Sequence, residues 1–213
     1  MNASPTTSAD GSSDPGQAIR ALVQGLSEQD WVCCPGFLPQ AHVSALRREA
    51  EALRGAGRFH PAGIGHVAER RSDIRGDDIH WVEQQAPLAR ALQQQQLAEL
   101  KDAINARLYL GLHDFEGHYA AYPSGGGYAR HVDRFRGDSR RVLSVVLYLN
   151  DAWDPEDGGD LCLYAGEAAA EPVARISPHG GTLICFLSEH VPHEVLPTRR
   201  TRWSLSGWFR RRA

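Results

Sequence analysis

The spacing of apolar residues changes near residue 113, and this change constrains the fold more than any other feature of the sequence. Before it, apolar residues recur at helical intervals, first from Ile19 to Leu26, then from Val43 to Leu53, and again from about Pro87 to Leu110. After it, short apolar runs alternate with Gly, Pro and Asp turns. These runs cover His118–Tyr122, Val142–Leu149, Asp160–Tyr164, Gly181–Phe186, His193–Val195 and Trp203–Phe209. The pattern predicts an α+β chain whose second half is an all-β sandwich, barrel or jelly roll.

The chain divides into a tail and one domain. Residues 1–15 are mostly Ser, Thr, Asp, Gly, Pro and Ala with few apolar side chains, which predicts a disordered tail. We expect a single domain over residues 16–213, with helical support over about 16–112 and the β core over about 113–213. Within the helical part, Trp31 to Leu38 is apolar and predicts a short strand.

Composition limits the partners and the compartment. The net charge of the 213 residues is −3, so no general basic field favours nucleic acid or an anionic membrane. No apolar run approaches the length of a membrane span, and the first 17 residues contain no apolar signal-peptide core. The four cysteines lack metal-site or redox spacing, and adjacent Cys33 and Cys34 read as small apolar strand residues. We expect a cytoplasmic protein that binds neither membrane nor nucleic acid.

The ten histidines of the chain raise the question of a metal site. His131 and Asp133 would point to the same side of an extended segment, because side chains alternate along a strand. His193 lies in another predicted strand. Two histidines and one carboxylate on one face are the facial triad of non-haem Fe(II) oxygenases, which leaves three metal positions open. A chance His-x-Asp match is the alternative.

Two further residues suit a dicarboxylate that binds such a metal at one end. Arg202 follows His193 by nine residues, across a turn marked by Pro197, and a buried guanidinium there would hold a remote carboxylate through two hydrogen bonds. Tyr148 ends a predicted strand and offers a hydroxyl. These roles fit 2-oxoglutarate.

The sequence resembles the prolyl 4-hydroxylase branch of the Fe(II)/2-oxoglutarate-dependent dioxygenases, and within it the hypoxia-inducible-factor prolyl hydroxylases and their bacterial relatives. The resemblance covers roughly residues 60–210. Its motifs are Tyr-Pro…Gly-Tyr-Ala-Arg-His-Val-Asp (122–133), Arg-Val-Leu…Leu-Tyr-Leu-Asn (141–150), Gly-Gly-Asp-Leu (158–161) and Pro-His-Glu-Val-Leu-Pro…Thr-Arg-Trp-Ser-Leu-Ser-Gly-Trp-Phe (192–209). Residues 73–81 resemble the family's mobile loop before the catalytic core.

The resemblance implies a double-stranded β-helix, or jelly roll, supported by N-terminal helices. It implies that His131, Asp133 and His193 bind iron and that Arg202, Tyr148, Tyr122 and Tyr128 bind 2-oxoglutarate. It further implies that Arg141, Trp208, Asp77 and Arg75 contact the substrate, with an Asp77–Arg141 ion pair as a latch. Fe(II), 2-oxoglutarate and O₂ would be required, ascorbate would support turnover, and the substrate would be a proline in a protein, with elongation factor Tu as the leading candidate.

Alternatives remain open at this point. The chain could hydroxylate a free amino acid or small molecule, or it could be a non-catalytic jelly roll that binds a metal. Trp208 could simply pack in the core, and His190 could compete with His193 as a ligand. We assign the other seven histidines to surface, packing or local hydrogen bonds: His42, His60, His66, His80, His113, His118 and His179.

Overall fold

The computed structural model describes residues 15–63, 74–82, 85–133 and 140–212, and the predicted tail therefore lies almost wholly outside the described residues. The helices are α1 (Pro15–Gln29), α2 (Gln40–Gly55), α3 (Pro87–Leu92) and α4 (Ala98–Leu108), with a π-helical segment, Gln93–Leu97, joining the last two. The strands are β1 (Trp31–Cys34), β2 (His60–Pro61), β3 (Asp78–Trp81), β4 (Asp114–Tyr122), β5 (Tyr128–His131), β6 (Arg141–Tyr148), β7 (Leu161–Leu163), β8 (Ala174–Ile176), β9 (Leu183–Leu187), β10 (His193–Val195) and β11 (Arg202–Arg210).

The strands form two antiparallel sheets. The large sheet has the order β1-β9-β6-β11-β4-β3-β2, and the small sheet has the order β5-β10-β7-β8. Side chains of both sheets meet in one buried cluster, which includes Tyr122, Phe186, Leu163 and Val195. Two facing antiparallel sheets with helices on one side are the predicted α+β arrangement with a jelly-roll core.

Alternation along the central strands separates helix-facing from sheet-facing residues. On β4, β6 and β11 the odd-numbered apolar residues join the cluster that packs against the helices, as Tyr119, Leu147 and Leu205 do. Even-numbered residues, such as Ala120 and Tyr148, face the small sheet. On these three strands, the side chains that face the small sheet therefore have even numbers.

The N-terminal half contributes more than helices. Three of its segments, β1, β2 and β3, extend the large sheet at its two edges. Only β1 is predicted from the sequence, because β2 has two residues and β3 mixes charged and aromatic residues without clear alternation. Cys33 and Cys34 lie in β1 as free thiols, in agreement with their interpretation as strand residues. In the described part of the chain, no helix combines the length and apolar character needed to cross a membrane.

Candidate active site

Three predicted metal ligands converge where β5 meets β10. His131 and His193 are direct register partners across these two strands, and their ring centroids lie 4.2 Å apart. Asp133 follows the end of β5, where its backbone N–H donates to the carbonyl of Ser188. One ligand atom from each residue lies within 4.8 Å of the other two, which is a spacing that could hold a metal ion.

Hydrogen bonds orient both imidazoles toward the carboxylate. Nδ1 of His131 lies 2.8 Å from the carbonyl oxygen of Ala129, and Nδ1 of His193 lies 3.0 Å from that of Val191. An Nδ1–H bonded to a carbonyl leaves Nε2 as the lone-pair nitrogen, which is the form that binds a metal. The two Nε2 atoms lie 3.6 and 3.7 Å from the oxygens of Asp133.

The carboxylate of Asp133 is held ionised and in place. Ser144, on the inner face of β6, donates a 2.7 Å hydrogen bond to Oδ2. Burial would raise the pKa of Asp133, but the imidazoles of His193 and His131 together with the Ser144 hydroxyl keep it well below its usual range. Burial, followed by the neighbouring His131, lowers the pKa of His193 to about 4. An ionised carboxylate and the neutral imidazole of His193 suit the donor set that a divalent iron requires.

Arg202 lies in the same cavity as the triad. It is 2% exposed, Nε donates to the carbonyl of Gly159 at 2.8 Å, and Nη2 donates to the Tyr148 hydroxyl at 3.2 Å. Gly159 has a φ of 72°, and a Cβ there would lie 3.1 Å from Cδ of Arg202, so glycine suits this close approach. The remaining N–H groups of the guanidinium have no hydrogen bond within the described part of the chain and are available to a carboxylate.

The tyrosines predicted to bind 2-oxoglutarate occupy different positions. Tyr122 lines the cavity beneath the Arg202 guanidinium, whose carbon is 5.2 Å from the ring centroid. Tyr128 also lines the cavity and stacks on His131 with centroids 3.6 Å apart. Tyr148 is fully buried behind the cavity, where burial raises its pKa to about 12 and its hydroxyl accepts the Arg202 hydrogen bond.

The predicted substrate residues lie at the other side of the cavity, with one correction. Arg75, Asp77 and Trp208 line it, whereas Arg141 lies outside with its guanidinium carbon 3.4 Å from the centroid of the Trp208 ring. The predicted Asp77–Arg141 ion pair is wrong for this structure. Arg75 donates two hydrogen bonds to Asp77, of 2.7 and 3.0 Å, and Arg141 pairs with Glu116 at 3.3 Å. Asp77 pairs with Arg75 because Arg75 lies only two residues away in the same extended segment.

The cavity joins these groups around about 540 Å³ of empty space, part of which is open to solvent. The metal triad and Arg202 both line it, so one small dicarboxylate could contact both. His190 is exposed and paired with Asp30, so it does not compete for the metal position. Two of the lining residues, Ser144 and His118, were not predicted from the sequence to have a function. Their positions of even parity on β6 and β4, shared with Tyr148 and Tyr122, are the signal that could have identified them.

Comparisons with known proteins agree with this geometry. The sequence model described as the 2OG-Fe(II) oxygenase superfamily matches residues 117–210. Human prolyl hydroxylase EGLN3 is 31% identical in an alignment of 202 positions, which covers 90% of this chain and 83% of that protein. The chain spans about half the length of the Egl nine homolog 1 proteins that it matches, and 46% of the human one.

Solved structures extend the comparison. A Pseudomonas putida prolyl-4-hydroxylase superposes with a TM-score of 0.81 at 43% identity, covering 92% of this chain and all of that one. A Trichoplax adhaerens prolyl hydroxylase, in complex with a peptide fragment of the hypoxia inducible factor oxygen degradation domain, gives a TM-score of 0.83 at 27% identity, covering 92% of this chain and 90% of that one. The jelly-roll prediction is confirmed by these relatives.

Proposed function

Because the chain belongs to the 2OG-Fe(II) oxygenase superfamily and, within it, to the prolyl hydroxylases, we propose that it hydroxylates C4 of a proline in a protein. Fe(II), 2-oxoglutarate and O₂ are the requirements of this family, and the His-Asp-His set fits them. One O₂ is consumed as 2-oxoglutarate becomes succinate and CO₂, and the second oxygen atom enters the prolyl C–H bond as hydroxyl; the bound iron supplies this redox chemistry.

The single observation that carries the proposal is the pairing of two sites in one cavity. His131, Asp133 and His193 would hold iron and leave three positions of an octahedral metal open. Arg202, held rigidly by Gly159 and Tyr148, would bind the distal carboxylate of 2-oxoglutarate through charge-assisted hydrogen bonds.

Other residues would orient the two organic reactants. Tyr122 and Tyr128 would flank 2-oxoglutarate, since both line the space shared by the triad and Arg202. Trp208 would face the target ring, supported from behind by Arg141. Arg75, fixed by Asp77, lies 4.9 Å from the Tyr128 ring centroid and would close the cavity around the substrate. With substrate bound, these groups would limit the access of water to the reacting atoms.

The target protein is a separate part of the proposal. The relative from Trichoplax is solved with a peptide, which supports a polypeptide substrate for this chain. We take elongation factor Tu as the first target to test, with the hypoxia inducible factor peptide as the second. A cytoplasmic location is supported by the four cysteines, which are all free thiols.

The test is coupled turnover by purified protein with Fe(II), 2-oxoglutarate and ascorbate. We expect succinate formation that rises when the target is added, together with a 16 Da mass gain on one proline. His131→Ala and Arg202→Ala should abolish both, whereas His190→Ala, which alters an exposed histidine three residues from His193, should preserve them. Unchanged turnover in His131→Ala would remove the metal assignment. Succinate without any modified proline in elongation factor Tu would remove that target.

A further inference from the structure

A third histidine lies in the cavity beside the metal triad. His118 is on the inner face of β4, is 2% exposed and lines the cavity. Its ring packs near Trp81, at 5.0 Å between centroids, and near Trp208, at 5.4 Å. The sequence predicts packing or a local hydrogen bond for this histidine, but its Nδ1 is buried without a hydrogen-bond partner in the part of the chain that the structure describes.

The neighbouring indole has the same property. Trp208 is 7% exposed, lines the same cavity, and its Nε1–H is also buried and unpaired among the described residues. A buried polar group without a hydrogen-bond partner costs free energy. Two such groups on one wall of the cavity indicate that a bound molecule supplies their partners. Ser204 and Ser206, on the same face of β11, already hydrogen-bond each other at 3.0 Å.

This wall carries no unpaired charge. Burial, followed by the nearby Arg75 guanidinium, lowers the pKa of His118 to about 3, which leaves a neutral imidazole at neutral pH. The two cations nearest the wall are engaged, because Arg75 is paired with Asp77 and Arg141 with Glu116. A neutral amide can bind against this wall with a small cost in desolvation free energy. The ammonium and carboxylate of a free amino acid would instead lose their hydration without gaining counterions.

We infer that His118 is a specificity-determining residue, which selects a peptide-bonded proline over free proline by hydrogen-bonding a main-chain amide of the substrate segment. A prolyl residue offers a carbonyl but no N–H, and the Trp208 indole can only donate, so Trp208 suits a carbonyl. The imidazole of His118 can donate or accept at Nδ1 according to its tautomer and can bind either group of the adjoining amide. This inference rests on the proposed function and names the substrate class of the same site.

Binding to the loaded protein tests the inference without turnover. The protein carries Zn(II) in place of Fe(II), together with 2-oxoglutarate, and the ¹H–¹⁵N signal of the Trp208 indole is identified by its absence in Trp208→Phe. The probes are acetyl-alanyl-prolyl-alaninamide and free L-proline. We expect the wild type to bind the tripeptide at least several-fold more tightly than free proline, with a saturating shift of the Trp208 signal.

Substitution then locates the effect. His118→Leu should weaken tripeptide binding about fivefold, as expected for one lost hydrogen bond, and leave binding of free proline unchanged. His118→Asn keeps a polar nitrogen near the Nδ1 position and should restore most of the affinity for the tripeptide. This result would show that His118→Leu binds weakly because it lacks the hydrogen bond and not because it folds poorly. His80→Leu is the matched control, because His80 also has a buried, unpaired ring nitrogen but does not line the cavity.

Three results would overturn the inference: tripeptide affinity in His118→Leu equal to the wild type, equal losses in His80→Leu, or wild-type protein that prefers free proline or fails to bind the tripeptide. Failure of the proposed function is a distinct result. In that case the Zn(II) protein binds the tripeptide in a His118-dependent manner, but the Fe(II) protein produces neither succinate nor hydroxyproline.

Discussion

Replacing Arg202 by lysine tests the proposed 2-oxoglutarate site at its most rigid point. Lysine keeps the positive charge but replaces a planar fork by a single ammonium group. In the structure, Nε and Nη2 of Arg202 are hydrogen-bonded to Gly159 and Tyr148, which fixes the orientation of the remaining N–H groups. Because Arg202 is 2% exposed, water cannot replace a lost hydrogen bond at low cost.

The expected loss of affinity for 2-oxoglutarate follows from the hydrogen bonds that the substitution removes. Lysine can offer one charge-assisted hydrogen bond to the distal carboxylate where arginine offers two. It also leaves the Gly159 carbonyl without its donor. A hydrogen bond to a charged group contributes about 1.5–3 kcal/mol. We therefore expect the affinity for 2-oxoglutarate to fall by about 2–3 kcal/mol, which is roughly 30- to 150-fold.

Calorimetric titration of 2-oxoglutarate into the Zn(II)-loaded protein measures this loss, and the KM for 2-oxoglutarate in the Fe(II) assay should rise by a similar factor. Arg200→Lys is the matched control, because Arg200 lies two residues away, is about half exposed and pairs with Asp157 on the surface. We expect no change in that variant. If Arg202→Lys binds 2-oxoglutarate as the wild type does, the guanidinium does not contact the dicarboxylate and the reasoning is refuted.

Three further predictions concern the supporting groups. Ser144→Ala removes the 2.7 Å hydrogen bond to Asp133 and should weaken Fe(II) binding about 10- to 100-fold in a metal titration, with Ser144→Thr as the hydroxyl-retaining comparison. Glu49→Ala should lower the free energy of unfolding by about 2–4 kcal/mol in urea, because the Glu49 carboxylate accepts hydrogen bonds from two backbone N–H groups of α3 and from the Tyr119 hydroxyl; a loss below about 0.5 kcal/mol would contradict this. In metal-free protein, the folded pKa of His118 lies below its ordinary value of 6.5, at about 3, so the unfolded state binds the proton first and stability falls as pH decreases from 6.5 toward 3. Between pH 7 and pH 5 the wild type should lose about 2 kcal/mol more stability than His118→Leu, and parallel losses would show that His118 is not buried as a neutral group.

Much of the core could be predicted because alternation reports which face of a strand is buried. The strands β4, β6 and β11 carry regular alternation, and their sequence positions were predicted to within a few residues. The edge strands β2 and β3 were missed because they are short and their pairing depends on distant residues, with His60 opposite Ile79 and Asp78 opposite Ala121.

The site could be predicted only as far as its motifs extend. His131 and Asp133 share a local spacing, and His193 and Arg202 share a second one, so both pairs are visible in the sequence. Their convergence depends on the pairing of β5 with β10, which no local pattern specifies.

Some residues of the site that lie outside these two motifs were not predicted from the sequence. His118 belongs to neither of these motifs, and its even-numbered position on the same strand as Tyr122 was the signal that could have identified it. The Asp77–Arg141 pair was wrong because residue identity shows which charges exist but not which opposite charge lies nearest in space. In the structure, Arg75 occupies that position.

The central claim is that this cavity hydroxylates a proline with an oxygen atom from O₂, and isotope labelling tests it most directly. The protein is incubated under ¹⁸O₂ with Fe(II), 2-oxoglutarate and elongation factor Tu or the hypoxia inducible factor peptide, and the products are measured by mass spectrometry. We predict an 18 Da gain on one proline and one labelled oxygen in succinate. Both should be absent in His131→Ala and retained in His190→Ala. Labelled succinate with no labelled proline in either target, or a labelled proline that persists in His131→Ala, would contradict the account.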